Sequence, residues 1–213
     1  KHAFDSTIIS KIHIPSSVKK IKADAFSYCE CLKTVSFGHN SQLESIGKHA
    51  FEQCSLEKIS IPENVKIIKE YAFYQNNNLK SVHFEGNLNQ CSIILRVFSC
   101  TSVEVLSFGS SIIELNKGWC CSTKKLTKII VSPENKRFSY VDDKYLLYKS
   151  NDNEENFDVF VFARRDINEI TIPSNIKRIT SYSFDSCDQI NEIEFSPNSK
   201  LEIIEDFSFS YSS

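Results

Sequence analysis

The chain has 213 residues, 41% of them hydrophobic and 24% charged, with 25 basic against 27 acidic side chains and a formal net charge of −2. That apolar content excludes wholesale disorder, and the near balance of charge leaves no electrostatic footprint for nucleic acid or an anionic membrane. No stretch reaches the roughly 18 uninterrupted apolar residues of a spanning helix; with no methionine and an opening Lys1-His2-Ala3-Phe4 unlike a signal peptide, the sequence reads as an excerpt of a longer chain.

From the N-terminus the chain repeats itself. Lys1-His2-Ala3-Phe4 returns as Lys48-His49-Ala50-Phe51, and the same phenylalanine recurs at Phe4, Phe26, Phe51, Phe73, Phe98, Phe184 and Phe209, with Cys120 once in its place. Intervals of 22 and 25 residues alternate before a break. A small residue precedes most of these landmarks, Val97 and Trp119 being departures. The first predicted strand closes the stretch Ile9-Ile12-Ile14. Its successors are Leu32-Val35-Phe37, Leu56-Ile59-Ile61, Leu79-Val82-Phe84, Val103-Leu106-Phe108, Leu126-Ile129-Val131, Ile167-Ile170-Ile172 and Ile190-Ile193-Phe195. Alternation with β-branched and aromatic residues fits short strands. A second apolar pair stands eight and five residues before each landmark, as in Val18/Ile21, Val65/Ile68 and Ile176/Ile179, with Gln90/Ile93 the exception. Each of the five prolines falls at or just after a strand end, where it turns the chain out of a sheet. One such repeat cannot bury its own apolar face, whereas stacked repeats can. The expected fold is a repeat solenoid with a parallel sheet on its concave face.

The full pattern, Leu-x-x-Ile-x-Ile-Pro-x-x-Val-x-x-Ile-x-x-x-Ala-Phe-x-x-Cys, is plainest from Leu56 to Phe73 and from Ile167 to Cys187. It resembles the BspA-type leucine-rich repeats of large surface proteins in bacteria and protists. The resemblance implies a leucine-rich-repeat horseshoe, with short strands, helical turns elsewhere and one interposed β-hairpin. Residues 1–213 then form a single array, with the irregular insertion at about 132–166. Within it, Tyr145–Tyr148 and Phe157–Ala163 are the expected strands, joined by a polar loop, and Arg164-Arg165 stands where the family often has a proline. The resemblance also implies a cell-surface or extracellular segment that binds protein ligands, host or matrix proteins among them. The alternative is an intracellular repeat scaffold attached to another domain.

The cysteines follow the repeat and not a pairing geometry. Cys29, Cys54 and Cys187 lie three residues after the landmark, where Asn76 stands in another coil, which suits a small buried group reaching a turn carbonyl. Cys31, Cys91, Cys120 and Cys121 stand outside that ladder, Cys120 as a core residue. The histidines show no metal-ligand spacing, and no phosphate loop, nucleophile elbow or zincin motif occurs. Asp142-Asp143 and Glu154-Glu155 read as solvated turns. No enzyme activity and no cofactor are expected.

A partner is expected on the outward positions of the strands, which alternate with the buried ones. Read coil by coil these begin basic or neutral, turn apolar at Val105 and Ile130, and end acidic. The candidate protein-binding residues are His83, Val105, Ser107, Lys128, Ile130, Glu169, Thr171, Glu192 and Glu194. The bland alternative is that Ser, Thr, Lys and Glu stand on these strands only for solubility.

Overall fold

A computed structural model of the chain describes residues 1–86, 91–110, 112–151, 156–210 and 212. The first coils carry β1 (Lys11–Ile14), β2 (Lys20–Ile21), β3 (Thr34–Phe37), β4 (Ser45–Ile46), β5 (Lys58–Ile61), β6 (Ile67–Ile68), β7 (Ser81–Phe84), β8 (Cys91–Ile93), β9 (Val105–Phe108), β10 (Ile112–Leu115) and β11 (Lys128–Val131). Then come β12 (Phe138–Val141), β13 (Tyr145–Tyr148) and β14 (Val159–Ala163), followed by β15 (Glu169–Ile172), β16 (Arg178–Ile179), β17 (Glu192–Phe195) and β18 (Ile203–Ile204). The expected strands are all present. The pair Gln90/Ile93 falls half outside the described residues, as Glu154-Glu155 does entirely.

Two parallel faces result. The longer strands pair as β1–β3, β5–β7–β9–β11 and β15–β17; the shorter ones pair as β2–β4–β6–β8–β10 and β14–β16–β18. The concave ladder is therefore not one continuous sheet. Between β3 and β5 the strands splay, and a groove of about 820 Å³ opens there, lined by Thr34, Ser36, Lys58, Ser60 and His83 among others. The second break, between β11 and β15, is where the insertion enters.

Third in each coil is the turn that carries the landmark, and it is not a helix: among the described residues none forms. The residues two before and two after the landmark adopt a left-handed backbone, for example His49 (φ 54°) and Gln53 (φ 50°) around Phe51. Two such residues within one turn break the i to i−4 pattern, so the amides donate to the neighbouring coil instead. Phe26 N donates to Ala50 O at 2.8 Å and Tyr28 N to Glu52 O at 2.8 Å, and the pattern recurs from coil to coil.

The landmark rings form a spine. Phe4, Phe26, Phe51, Phe73 and Phe98 stack with centroids 5.1, 5.2, 5.5 and 5.7 Å apart and nearly parallel planes. Offset stacking of this kind adds about 0.5–1.5 kcal/mol per pair to the area buried. The small residue beside the landmark is explained by the same packing, since Ala50 and Ala72 are fully buried against it. Three residues on, the expected polar station is formed: the Cys29 thiol donates to Phe4 O (2.9 Å), Cys54 to Phe26 O (3.1 Å) and the Asn76 amide to Phe51 O (2.6 Å). All eight cysteines are free thiols. Burial pushes those of Cys54, Cys91 and Cys120 up to about 12.

The insertion is a three-stranded antiparallel meander, one strand more than the expected hairpin. β12 turns into β13 through Asp142 and Asp143, both left-handed (φ 52° and 53°), the geometry of a tight hairpin turn. Asp143 is not simply solvated, because Arg164 Nη1 donates to its carboxylate at 2.9 Å. β14 is buried along its whole length. Its two faces serve different cores: Val159, Val161 and Phe162 pack with the first coils, while Phe160 and Ala163 pack with Ile170, Ile179 and Phe184 behind it. The meander is a septum, and a second ring stack, Tyr145–Phe160–Phe184–Phe209, starts from it.

Side chains stitch the coil of Cys120 to the coil of Phe184 across this septum. Arg165 is 2% exposed and lies over the Phe162 ring at 4.6 Å. Its Nη1 donates to Ser183 O (3.0 Å) and its Nη2 approaches the Cys120 sulfur (3.5 Å). The smaller Cys120, standing where other coils have a phenylalanine, leaves room for that guanidinium. Outside, Arg96 donates to the Tyr182 hydroxyl at 3.3 Å, bringing together residues 86 apart in the chain.

Candidate functional site

Strand register decides what the concave face presents. In β5–β7–β9–β11, Lys58, Ser81, Val105 and Lys128 lie side by side, and Ser60, His83, Ser107 and Ile130 form the next row. The inward residues between them, Ile59, Val82, Leu106 and Ile129, are buried. The expected outward register is therefore the observed one. Ile130 is 46% exposed, a large apolar side chain standing in water beside Ser107, and Val105 is half-buried on the adjacent strand. His83, Val105, Ser107, Lys128 and Ile130 come together on one patch.

The acidic residues form a second, separate patch. On β15–β17, Glu169 lies opposite Glu192 and Thr171 opposite Glu194. Like charges directly opposite are destabilising, and Lys144, from the turn of the meander, lies in the same pocket as the three glutamates. Because β11 and β15 do not pair, the nine candidates do not make one stripe. At the other end His13 Nδ1 and Ser36 Oγ are 3.0 Å apart across β1 and β3. Among the described residues no three His, Cys, Asp or Glu side chains converge as metal ligands would.

Sequence reading missed the turn face. The left-handed position before the landmark carries His49, Tyr71 and Arg96 in three successive coils, then Gly118, then Tyr182 and Phe207. His49 stacks on Tyr71 at 5.1 Å and Tyr182 on Phe207 at 5.5 Å. The signal was available as Tyr71, Tyr182 and Phe207 two residues before their landmarks, but nothing in the pattern said that this station faces outward. The buried Arg165 and Asp185 were also not legible, because their burial depends on where the meander folds back.

A parallel solenoid with a long and a short strand in each coil of 22 to 25 residues, a phenylalanine spine and a small polar station, Cys or Asn in four coils, defines the leucine-rich-repeat class of protein. The BspA type leucine-rich repeat region matches six times, over residues 1–127 and 148–213, and the chain belongs to that family. Among solved structures it is similar to the pneumococcal vaccine antigen PcpA, with 28% identity and a TM-score of 0.80 over 92% of this chain and 47% of that one. The fold is also that of a leucine-rich cell surface protein from Faecalibacterium prausnitzii A2-165 (21% identity, TM-score 0.62, 93% of this chain and 61% of that one). A leucine-rich repeat protein from Eubacterium ventriosum ATCC 27560 shares it too (20%, 0.63, covering 84% and 51%). The chain spans about half the length of PcpA and less than two thirds of the others. No curated protein matches it. No helix among the described residues is long and apolar enough to cross a membrane.

Proposed function

We propose that the chain is a non-enzymatic binding segment of a cell-surface protein and that it holds a protein ligand on the concave patch of β7, β9 and β11. The observation that carries this reading is Ile130, an isoleucine held in solvent beside Ser107 in an otherwise polar row, with Val105 diagonal to it in the adjacent row. Each such side chain covered by a partner contributes about 1–2 kcal/mol. The acidic patch sets Glu169 opposite Glu192, with Glu194 nearby, which favours a ligand with a basic region and a salt-dependent association. PcpA is a vaccine antigen and the Faecalibacterium protein a cell-surface protein, which supports the surface location.

The test is Val105→Lys with Ile130→Lys, assayed by biolayer interferometry on a panel of immobilised extracellular-matrix proteins. Binding should weaken by roughly tenfold or more while the thermal transition stays nearly unchanged, because both side chains already face solvent. Binding that survives with folding intact removes the concave patch from consideration. A second reading, an intracellular interaction array, is favoured by the eight free thiols, since exported proteins usually oxidise theirs.

A further inference from the structure

The opening between β3 and β5 has a local cause. Elsewhere on the concave face the residue that follows a strand donates its amide to the last carbonyl of the strand before it in the sheet. Gly38 donates to Ile14 O (2.9 Å), Glu85 to Ile61 O (2.9 Å), Ser132 to Phe108 O (2.9 Å) and Ser196 to Ile172 O (3.0 Å). Pro62 stands in that place after β5 and has no N–H to give. The two coils are joined on either side of the opening, by Glu57 N to Lys33 O (3.4 Å) before the strands and by Asn64 Nδ2 to Ser41 O (2.7 Å) after them. The gap is therefore held open inside the stack and is not a frayed end.

Backbone direction says what lines it. Along a strand, successive residues turn their N–H and C=O groups to alternate sides. β3 bonds back to the first coil through Thr34 N, with Gly38 N just beyond it, and the β5 coil bonds forward through Glu57 O and Ile61 O. Val35 and Phe37 thus turn their peptide groups into the gap from one side, Lys58 and Ser60 from the other, and β3 and β5 form no ladder that would use them. Unpaired strand edges are templates for an added strand. The floor between them is apolar, with Val35 and Ile59 buried and Phe37 half-buried. Charge is graded along the groove: Lys33 and Lys58, with Glu57, stand where the strands begin, and Glu63 and Glu85 where they end. Four extended residues span about 13 Å, the length of either strand. One peptide can therefore set an acidic side chain against the lysines and a basic one against the glutamates.

We propose that the groove between β3 and β5 takes an extended peptide segment of a protein partner, which adds its backbone to the free strand edges and carries an acidic and a basic side chain separated by about four residues. This extends the protein-binding reading to a second part of the concave face, clear of Val105 and Ile130, so that either can fail without the other.

The experiment is amide-resolved NMR of the chain with capped hexapeptides at millimolar concentration. The probes are Ac-Asp-Thr-Val-Thr-Val-Lys-NH2, the reverse sequence Ac-Lys-Val-Thr-Val-Thr-Asp-NH2, a neutral analogue of each with serine at both ends, and both charged peptides N-methylated at their four central residues. One of the charged peptides should shift the resonances of Val35, Phe37, Lys58 and Ser60 in a saturable way. Its N-methylated form should bind at least tenfold more weakly, because the central donors for the strand edges are gone. The neutral analogue should bind about fivefold more weakly. Glu63→Gln with Glu85→Gln should cut that charge preference and leave the thermal transition nearly unchanged. Val105→Lys with Ile130→Lys should leave peptide binding as it was. No saturable shift with either charged peptide overturns the inference. So does equal binding of the N-methylated form, shifts confined to β9 and β11, or a charge preference untouched by the glutamate substitutions.

Discussion

In each coil a few residues carry costs that the stack offsets. Non-glycine residues stand in the left-handed region at Asp24, Tyr28, Gln53, Tyr71, Gln75 and their equivalents, at roughly 1–2 kcal/mol each. Most of these turns hand amides to the next coil, at about 0.5–1.5 kcal/mol per bond, and place a phenylalanine in a ring stack. The polar station follows the same logic: Cys or Asn three residues after the landmark gives the landmark carbonyl of the preceding coil a side-chain donor. Those thiols are spent on packing. With Cys54, Cys91 and Cys120 held near 12 by burial, almost no thiolate forms at neutral pH. Native titration with a disulfide reagent should therefore label the exposed Cys31 first, with the half-buried Cys100 slower, and leave those three unlabelled. All eight should react in denaturant. Disulfide-linked peptides joining Cys29, Cys54 or Cys187 would contradict the station they occupy.

At the scale of elements, turns and loops are locked by side chains that reach backbone. In Pro-x-Asn turns the asparagine amide bonds a neighbouring coil: Asn64 to Ser41 O (2.7 Å), Asn135 to Gly109 O (3.0 Å) and Asn175 to Phe157 O (2.6 Å). Where β13 passes to β14, Asp158 closes the loop by accepting from the Ser150 amide (2.8 Å) and hydroxyl (2.6 Å). Burial acts to raise its carboxyl, but these bonds, with Lys177 at 3.8 Å, outweigh it and hold the group below its ordinary value of 3.8. A carboxylate depressed in the folded state stabilises fully above its unfolded value, and that stability is lost as the pH falls through the folded one. Acid titration should thus loosen the β13–β14 loop below about pH 4. Asp158→Asn should cost about 1–3 kcal/mol at neutral pH and flatten the acid limb. An unchanged acid limb in thermal melts would show that Asp158 does not set it.

The whole molecule is two stacks of coils sharing a septum. The first core runs from Ile14 to Phe162 and the second from Tyr145 to Cys187, with β14 belonging to both. In a quasi-one-dimensional stack each coil is stabilised by its neighbours, so the outermost coils have half the contacts. At one end Phe4 is 40% exposed and Ile8 88%; at the other Ile203, Ile204 and Phe207 are 45%, 53% and 60% exposed. Amide exchange should be slowest from Phe51 to Phe84, from Cys91 to Phe98 and along β14, and fastest before about Ile9 and after about Leu201. Uniform protection through both ends in a monomer would be incompatible with this gradient.

Period, strand positions, outward register and the Cys/Asn station were all legible in the amino-acid sequence, because each is set by contacts between a coil and its immediate neighbours and so repeats with the coil. Helical turns were not borne out, since inter-coil hydrogen bonding wins over the local i to i−4 pattern only when coils are stacked. The third strand of the meander, the breaks in the concave sheet and the separation of Glu169 and Glu192 from Val105 and Ile130 depend on how an aperiodic segment folds back on the stack. The same is true of the contacts across the septum: Cys120, Arg165 and Asp185 are scattered departures in the sequence, and only tertiary structure, by burying two charges where the repeat fails, brings them to one place.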